Sequence, residues 1–517
     1  MGAKGFWGRA IEDPSWIAVV DPDGTEHSAG ALLSRANQLT HALRARGLQP
    51  GEGIAALLPN GAAAVEVLVA ALQAGWYLTP INWHFTAPEA AYIAADCGAK
   101  AFFVHERYAK LGVDAADAAG IPADARFSFG AVPGFTDVAE LRAGQPDTLP
   151  ADRTAGTTMH YTSGTTGRPK GVRRALTGLD PDDAGALLAA GLLGIFGVTE
   201  GQPNAHLVSS PNYHTAVTTF GVAALELGHT LVCMDGFDAE TALALTERYR
   251  VTGSHMVPTQ FKRMLSLPDE VRARYDLSSM RWLIHAAAPC PIGIKQAMLD
   301  WWGPCVWEYY AATEGGGTVA SPQDWLAHPG TVGIPWPTSE ILIADENGDA
   351  QPTGVPGTIY MKVGLLDFEY YKDKAKTDAG RLPGFFTVGD IGYLDEEGFL
   401  FLCDRKSDMI ISGGANIYPA EIEAEIIMNP KVADVAVFGI PDEDWGEQIK
   451  AVVQPAAGVE PGDELAADIL ARLEGRLAKM KWPRSIDFVA ELPRDPSGKL
   501  LKRRLRDPYW ADRTTKI

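Results

Sequence analysis

Residues 161–171, YTSGTTGRPKG, bring three glycines, the hydroxyls of Thr162, Ser163, Thr165 and Thr166, and the amine of Lys170 into eleven positions. Glycines such as Gly164 and Gly167 let successive backbone N–H groups converge on an anion, while hydroxyls add donors and lysine adds charge, so the stretch suits phosphate. It is not a Walker A loop, because Gly167 is followed by Arg-Pro-Lys-Gly and not by lysine and a hydroxyl. A Ser/Thr/Gly surface loop is the ordinary alternative, and the hydroxyl density favours phosphate over it. Later in the chain stand Thr313-Glu314 before Gly315, Gly316 and Gly317, Gly389-Asp390, a lone His214 in SPNYHTA, and Lys499 in PRDPSGK. Arg494, Lys499, Lys502, Arg503, Arg504 and Arg506 form a basic cluster. It reads most simply as a solvated tail; a nucleic-acid patch or another phosphate contact is a weaker reading.

Strands and helices must alternate to hold these groups. Short β-branched runs alternate with Ala/Leu-rich stretches over the first four hundred residues, which predicts an α/β domain. Leu32, Leu33, Ala36, Leu39 and Leu43 fall at helical spacing between a capping Ser28 and Gly47. A strand is expected at 53–58, then a helix at 62–75, apolar nearly all round and therefore interior. At Asp390 two apolar strands follow, joined by an Asp-Glu-Glu-Gly turn. Beyond them a helix from Pro419 to about Met428, strands at 433–440 and 449–455, a helix carrying Leu465, Ile469, Leu470, Leu473 and Leu477, and a strand near 485–490 predict a small α+β domain. The expected division is 1–404 and 405–517, a large N-terminal domain of sheets sandwiched by helices and a small mobile lid.

The 517 residues include 45 Lys plus Arg against 65 Asp plus Glu, a net charge of −20, which opposes general affinity for nucleic acid or anionic membrane. With 46% hydrophobic and 21% charged residues the chain is an ordinary folding sequence. Five scattered cysteines suggest neither disulfides nor zinc and are expected to be buried thiols. The longest charge-free apolar run, 186–198, is too short for stable membrane insertion, and the N-terminus resembles no signal peptide, so a cytoplasmic location is expected.

The 161–171 stretch resembles the phosphate loop of the adenylate-forming superfamily, which contains acyl-CoA synthetases, peptide-synthetase adenylation domains and firefly-type luciferases. Tyr310-Ala311-Ala312-Thr313-Glu314 resembles its Tyr-Gly-x-Thr-Glu motif, with Ala311 in the usual glycine position. Thr387 to Asp390 resembles its ribose motif, Asp404 to Asp408 its hinge, Ser412 to Asn416 the loop that follows, and Pro493 to Lys499 its lysine loop. Five motifs in order span nearly the whole chain, with HAAAPCP, EYYAATEGGGT and DRKSDMIISGGANIYPAEIE most similar to fatty-acyl-CoA ligases of actinobacterial type.

The resemblance implies ATP and CoA as co-substrates and Mg²⁺ held by Glu314. It implies that Thr313 contacts phosphate, Tyr310 stacks on adenine, Asp390 accepts both ribose hydroxyls and Arg405 touches the ribose. Thr162 to Gly167, Lys170 and Ala287 would complete the nucleotide site. Lys499 would act on the charge developing between carboxylate and α-phosphate. His214 would stand beside the acyl group, whose pocket draws on Tyr213, Val217, Phe220, Val257, Thr259, Gly315 and Gly316; the glycines there leave volume for a large acid, or are simply a flexible loop. Gly413 and Gly414 would line the CoA channel. Ser407 falls at the hinge, where aspartate or lysine is common.

The activity so implied is carboxylic acid plus ATP plus CoA to acyl-CoA, AMP and pyrophosphate through an acyl-adenylate. No Asp or Lys among the pocket segments would pair with an α-amino acid, so a medium- or long-chain fatty acid or a bulky, steroid side-chain type acid is expected. Transfer to an amine or to a carrier-protein thiol is the rival within the family. A luciferase-like oxygenase, whose motifs overlap, is a further alternative, and a non-catalytic nucleotide-binding protein is the rival of another class. A homodimer is left open.

Overall fold

The computed structural model describes residues 4–162, 168–199, 204–362, 367–494 and 500–511. Ser163, Gly164, Thr165, Thr166, Gly167 and Lys499 lie outside the described residues.

Two large sheets build the N-terminal domain. In the nine-stranded one, six neighbouring strands run parallel: Val306–Ala312, Trp282–His285, Gly253–Met256, Ala205–Val208, Thr230–Cys233 and Ile17–Val20. Helices cover both faces, so Ala205–Val208 and Gly253–Met256 are buried throughout, the polar His206, Ser254 and His255 included. The second sheet has six strands, all parallel, with Gly53–Leu57 buried inside it.

Local signals act as expected. The Ala29–Ala45 helix starts where Ser28 Oγ accepts from the Ala31 N–H, and Ala62–Ala74 stops at Gly75, whose φ of 74° suits glycine. That second helix is interior even at Glu66, which is held by Arg35 and Arg142, and at Gln73, which donates to Asn37 and Thr40.

The alternating topology puts the carboxyl ends of the parallel strands along one edge, where α/β sheets bind ligands. Ser209, Val257, Ala286 and Thr313 all follow strand ends there. A separate three-stranded sheet, His160–Thr162, Lys170–Arg174 and Phe368–Tyr370, lies close to it.

The strands Asp390–Leu394 and Leu400–Arg405 form the expected hairpin. Beyond it, Val432–Asp442 and Gly446–Pro455 pair antiparallel, both longer than expected because the ladder continues to the turn at 443–445. The Pro419–Ile426 and Asp463–Leu473 helices pack Ile422, Ile426, Leu465, Ile469 and Leu473 onto that sheet.

The basic cluster departs from a solvated tail. Lys502 sits 2.8 Å from Glu423, Arg494 makes two bonds to Asp434, and Arg506 donates to the Ser407 carbonyl at 3.1 Å. Apolar packing of the Lys502–Trp510 helix, through Leu505 against the cluster of Ala436, Phe438, Val452 and Leu492, brings Lys502 and Arg506 inward, while Arg503 and Arg504 stay exposed. The five cysteines are all free, with Cys97, Cys233 and Cys305 buried but Cys290 and Cys403 only partly so. Among the described residues no helix is long and apolar enough to cross a membrane.

Candidate active site

A cleft of about 4070 Å³ runs along the strand ends and is lined by both domains. The strands Val306–Ala312 and Gly315–Ala320 form an antiparallel hairpin with Ala312 opposite Gly315, so Thr313 and Glu314 are its two turn residues and reach the cleft together. Glu314 is 8% exposed and accepts from the Tyr370 hydroxyl at 2.6 Å. Arg174 donates to the Thr313 carbonyl at 2.6 Å, and burial pulls its guanidinium down while the nearby Glu314 charge opposes that. Thr313 Oγ1 lies 3.2 Å from Thr215 Oγ1.

Arg174 and Tyr370 come from the small three-stranded sheet, in which Thr162 and Lys170 are also cross-strand partners. Thr162 lines the cleft; Lys170 does not, and pairs with Asp373 at 3.0 Å.

Tyr310 and Asp390 make the second cluster. The phenol donates to Asp390 Oδ2 at 2.7 Å, and Arg405, the cross-strand partner of Asp390, places Nε 3.3 Å from Oδ1. Burial and the carboxylate both push the Tyr310 phenol well above its usual pKa, so it remains a donor. Ala287, on the cleft wall, has φ of 73°, an uncommon conformation for a residue with a side chain.

At the other side, His214 is the N-cap residue of the Thr215–Glu226 helix, and its ring centroid is 4.4 Å from that of Tyr213. Tyr213 is fixed in turn by His84 Nδ1, 3.2 Å from its hydroxyl, and by the edge-on ring of Trp83. Val217, Phe220, Val257, Thr259, Gly315 and Gly316 line the same cleft, with Phe220 packed on His255 and Tyr309.

Gly316 and Gly317 do not leave open volume, nor is the run a flexible loop. It lies in a strand, where a Cβ on Gly316 would fall 2.7 Å from Met361 Cβ and one on Gly317 would fall 2.4 Å from the Tyr310 carbonyl and 2.6 Å from the Trp336 ring. Only Gly315 faces looser surroundings, with Arg174 3.7 Å from its Cβ position. Close packing explains Gly316 and Gly317.

Gly413 and Gly414 also stand apart from the cleft; a Cβ on Gly413 would fall 2.5 Å from the Trp445 ring. Ser407 is likewise outside the lining, its carbonyl bound by Arg506. Arg494 and Leu500, which bridge to each other on either side of the lysine loop, do line the cleft.

Sequence reasoning missed Arg174, Tyr370 and Thr215, whose partners are 56 to 139 residues away. It also missed a buried pair behind the site, Lys295 Nζ to Glu308 Oε2 at 2.7 Å. Burial pushes the lysine down and the glutamate up, each restrained by the other's charge.

Comparison with known proteins accords with this geometry. Residues 6–366 match the model of the AMP-binding enzyme family, and residues 421–499 that of the AMP-binding enzyme C-terminal domain. A fatty acid–[acyl-carrier-protein] ligase, ScoC of Streptomyces coeruleorubidus, is 32% identical over 98% of this chain and 96% of its own length. A feruloyl-CoA synthase from an Amycolatopsis species is 34% identical over 93% and 94%. The ATP-bound crystal structure of MatB from Rhodopseudomonas palustris superposes with a TM-score of 0.82 at 30% identity, covering 99% of each chain. With the family model spanning well over half its length, the chain belongs to the AMP-binding enzyme family.

Proposed function

We propose that the chain is an ATP-dependent acid–thiol ligase. A carboxylate oxygen attacks the α-phosphorus of ATP and the bond to pyrophosphate breaks, giving an acyl-adenylate. The CoA thiol, losing its proton, then attacks the acyl carbon and expels AMP. The observation that carries this reading is the convergence in one cleft of the Thr313-Glu314 turn, the Tyr310–Asp390–Arg405 cluster and the Tyr213–His214 wall.

Asp390, an acceptor held from both sides, would take the ribose hydroxyls, with Arg405 beside it. Tyr310 and Ala287 would bound the adenine, and Thr162 and Thr313 would meet phosphate. Among the described residues no group of three His, Cys, Asp or Glu could cage a resident metal. One buried carboxylate beside a hydroxyl suits instead a Mg²⁺ carried in on the nucleotide, for which phosphates supply most of the oxygens. That ion, when bound, would neutralise phosphate charge; Glu314 would hold it, with its carboxylate fixed by the Tyr370 hydroxyl. Lys499 would enter over the attacking carboxylate, a role supported by the cleft-lining positions of Arg494 and Leu500.

The domains divide at Asp404 and Arg405, with Ser407 as the pivot about which Gly413 and Gly414 would be brought to the cleft for the thiol step. The acid is apolar, a medium- or long-chain fatty acid or one as bulky as a steroid side-chain acid. An extension of the cleft supports the slender choice. Thr215, Thr219, Val222 and Glu226, at i, i+4, i+7 and i+11, line it together with Ala184, Leu188 and Gly191 of the Pro181–Leu192 helix. Leu187 and Leu188, 64% and 36% exposed, flank the extension and gain an apolar partner when a chain fills it.

The test is pyrophosphate release from ATP across fatty, aromatic and steroid acids, with CoA, amines or a carrier protein as acceptor. Turnover with an apolar acid that needs CoA supports the reading. Acyl-adenylate that ignores CoA would assign another acceptor.

A further inference from the structure

Away from the hinge, a charged side chain of the large domain grips the small one. Lys262, near the end of the Pro258–Leu265 helix of the large domain, donates through Nζ to the Val432 carbonyl at 2.7 Å and the Ile427 carbonyl at 3.3 Å. These two carbonyls bracket the turn between the Pro419–Ile426 helix and the Val432–Asp442 strand of the small domain. The same turn is pressed onto the large domain at a second point: a Cβ on Gly293 would fall 2.4 Å from Met428 Cε. The grip therefore has a polar jaw, Lys262, and an apolar one, Gly293 against Met428.

The orientation so gripped is identifiable. Arg494 and Leu500, flanking the lysine loop, line the cleft, while Gly413 and Gly414 do not. This rests on the ligase reading above, in which the first half-reaction needs the lysine loop in the cleft and the second needs it withdrawn.

We propose that Lys262 is a positioning residue that latches the small domain in the orientation for acyl-adenylate formation, and that its release is a condition of the thiol step. Lys262 touches no reacting atom; it acts through the two carbonyls. Its surroundings make the latch sensitive to pH. Burial lowers the amine to about 8, with Asp434 opposing that shift and Arg494 adding to it. Those are the charged groups that face it, and Arg494 is itself bonded to Asp434.

When the domains part, the amine returns to water and to an ordinary lysine value. Between about pH 8 and the ordinary value near 10.5 the docked state thus binds fewer protons than the undocked one, so docking strengthens as pH rises through that window. The neutral amine still has two N–H donors for its two carbonyls.

The experiment separates the half-reactions in the full-length protein: pyrophosphate release from acid plus ATP, and thioester formation from supplied acyl-adenylate plus CoA. In Lys262→Ala the first rate is expected to fall about 10-fold, the effect of one to two lost hydrogen bonds, while the second changes less than twofold. Lys262→Arg, which keeps donors and charge, should restore most of the first rate but lose its rise above pH 8. Equal losses in both half-reactions, or no loss in either, would overturn the latch while leaving the ligase reading in place. An unmodified chain that released no pyrophosphate with any acid would remove both.

Discussion

The Tyr310 hydroxyl donates to Asp390 across 2.7 Å, joining the strand that carries the Thr-Glu turn to the hairpin that leads into the C-terminal domain. The two residues are 80 positions apart, and their bond fixes where Asp390, the proposed ribose acceptor, stands relative to the Thr-Glu turn. Asp390→Ala should therefore raise the KM for ATP by roughly 10- to 100-fold, the worth of hydrogen bonds to a charged acceptor. Tyr310→Phe, which leaves the carboxylate in place, should raise it less. Initial-rate kinetics at varied ATP decide the order, and equal effects would mean that Asp390 serves only to hold Tyr310.

Glu314 receives the Tyr370 hydroxyl at 2.6 Å and lies near the Arg174 charge. Glu314→Gln keeps the shape and removes the charge. Pyrophosphate release should fall about 100-fold and recover in part with added Mg²⁺. Tyr370→Phe should show a weaker form of the same magnesium dependence. A loss that magnesium does not relieve would make the carboxylate a fold determinant.

Thr219 stands one turn after Thr215 on the Thr215–Glu226 helix and lines the cleft. Thr219→Trp should fill the space, lowering the ratio of kcat/KM for a twelve-carbon acid to that for a four-carbon acid by about 100-fold. A chain-length profile that keeps its shape would place the acyl tail elsewhere.

Glu226, 2% exposed, accepts from the Phe6 N–H at 2.6 Å. Burial, with a further push from Asp182, raises its carboxyl to about 8, against the lowering effects of the Phe6 hydrogen bond and Arg9. A folded carboxyl that holds its proton more tightly than the unfolded chain contributes stability that is full below the unfolded pKa near 4.5 and is lost as pH rises through about 8. Thermal melts should thus decline across that window, and Glu226→Gln should flatten the decline.

Helix boundaries set by local chemistry, such as the Ser28 cap and Gly47 just past the end of the same helix, were legible because each depends on neighbours within four residues. The Thr-Glu turn, Asp390 and Tyr310 were legible through motif resemblance. What lies opposite them was not. Gly316 and Gly317 suggested space, yet Met361 and Trp336 fill it, and no local signal announces a side chain arriving from another strand. Lys502 and Arg506 read as solvated because a run of basic residues normally is; the acids that pair with them, Glu423 and Asp408, lie 79 and 98 positions upstream. Gly413 and Gly414 belong to the second half-reaction in our reading, and a single orientation of the domains brings only one set of groups to the cleft.

The most direct measurement concerns Lys499. With the acid that best supports turnover, the unmodified protein should release one pyrophosphate for each acyl-CoA formed. Lys499→Ala should lose most pyrophosphate release while still converting supplied acyl-adenylate and CoA to the thioester. Loss of both half-reactions in that variant, or release of pyrophosphate at the unmodified rate, would contradict the account.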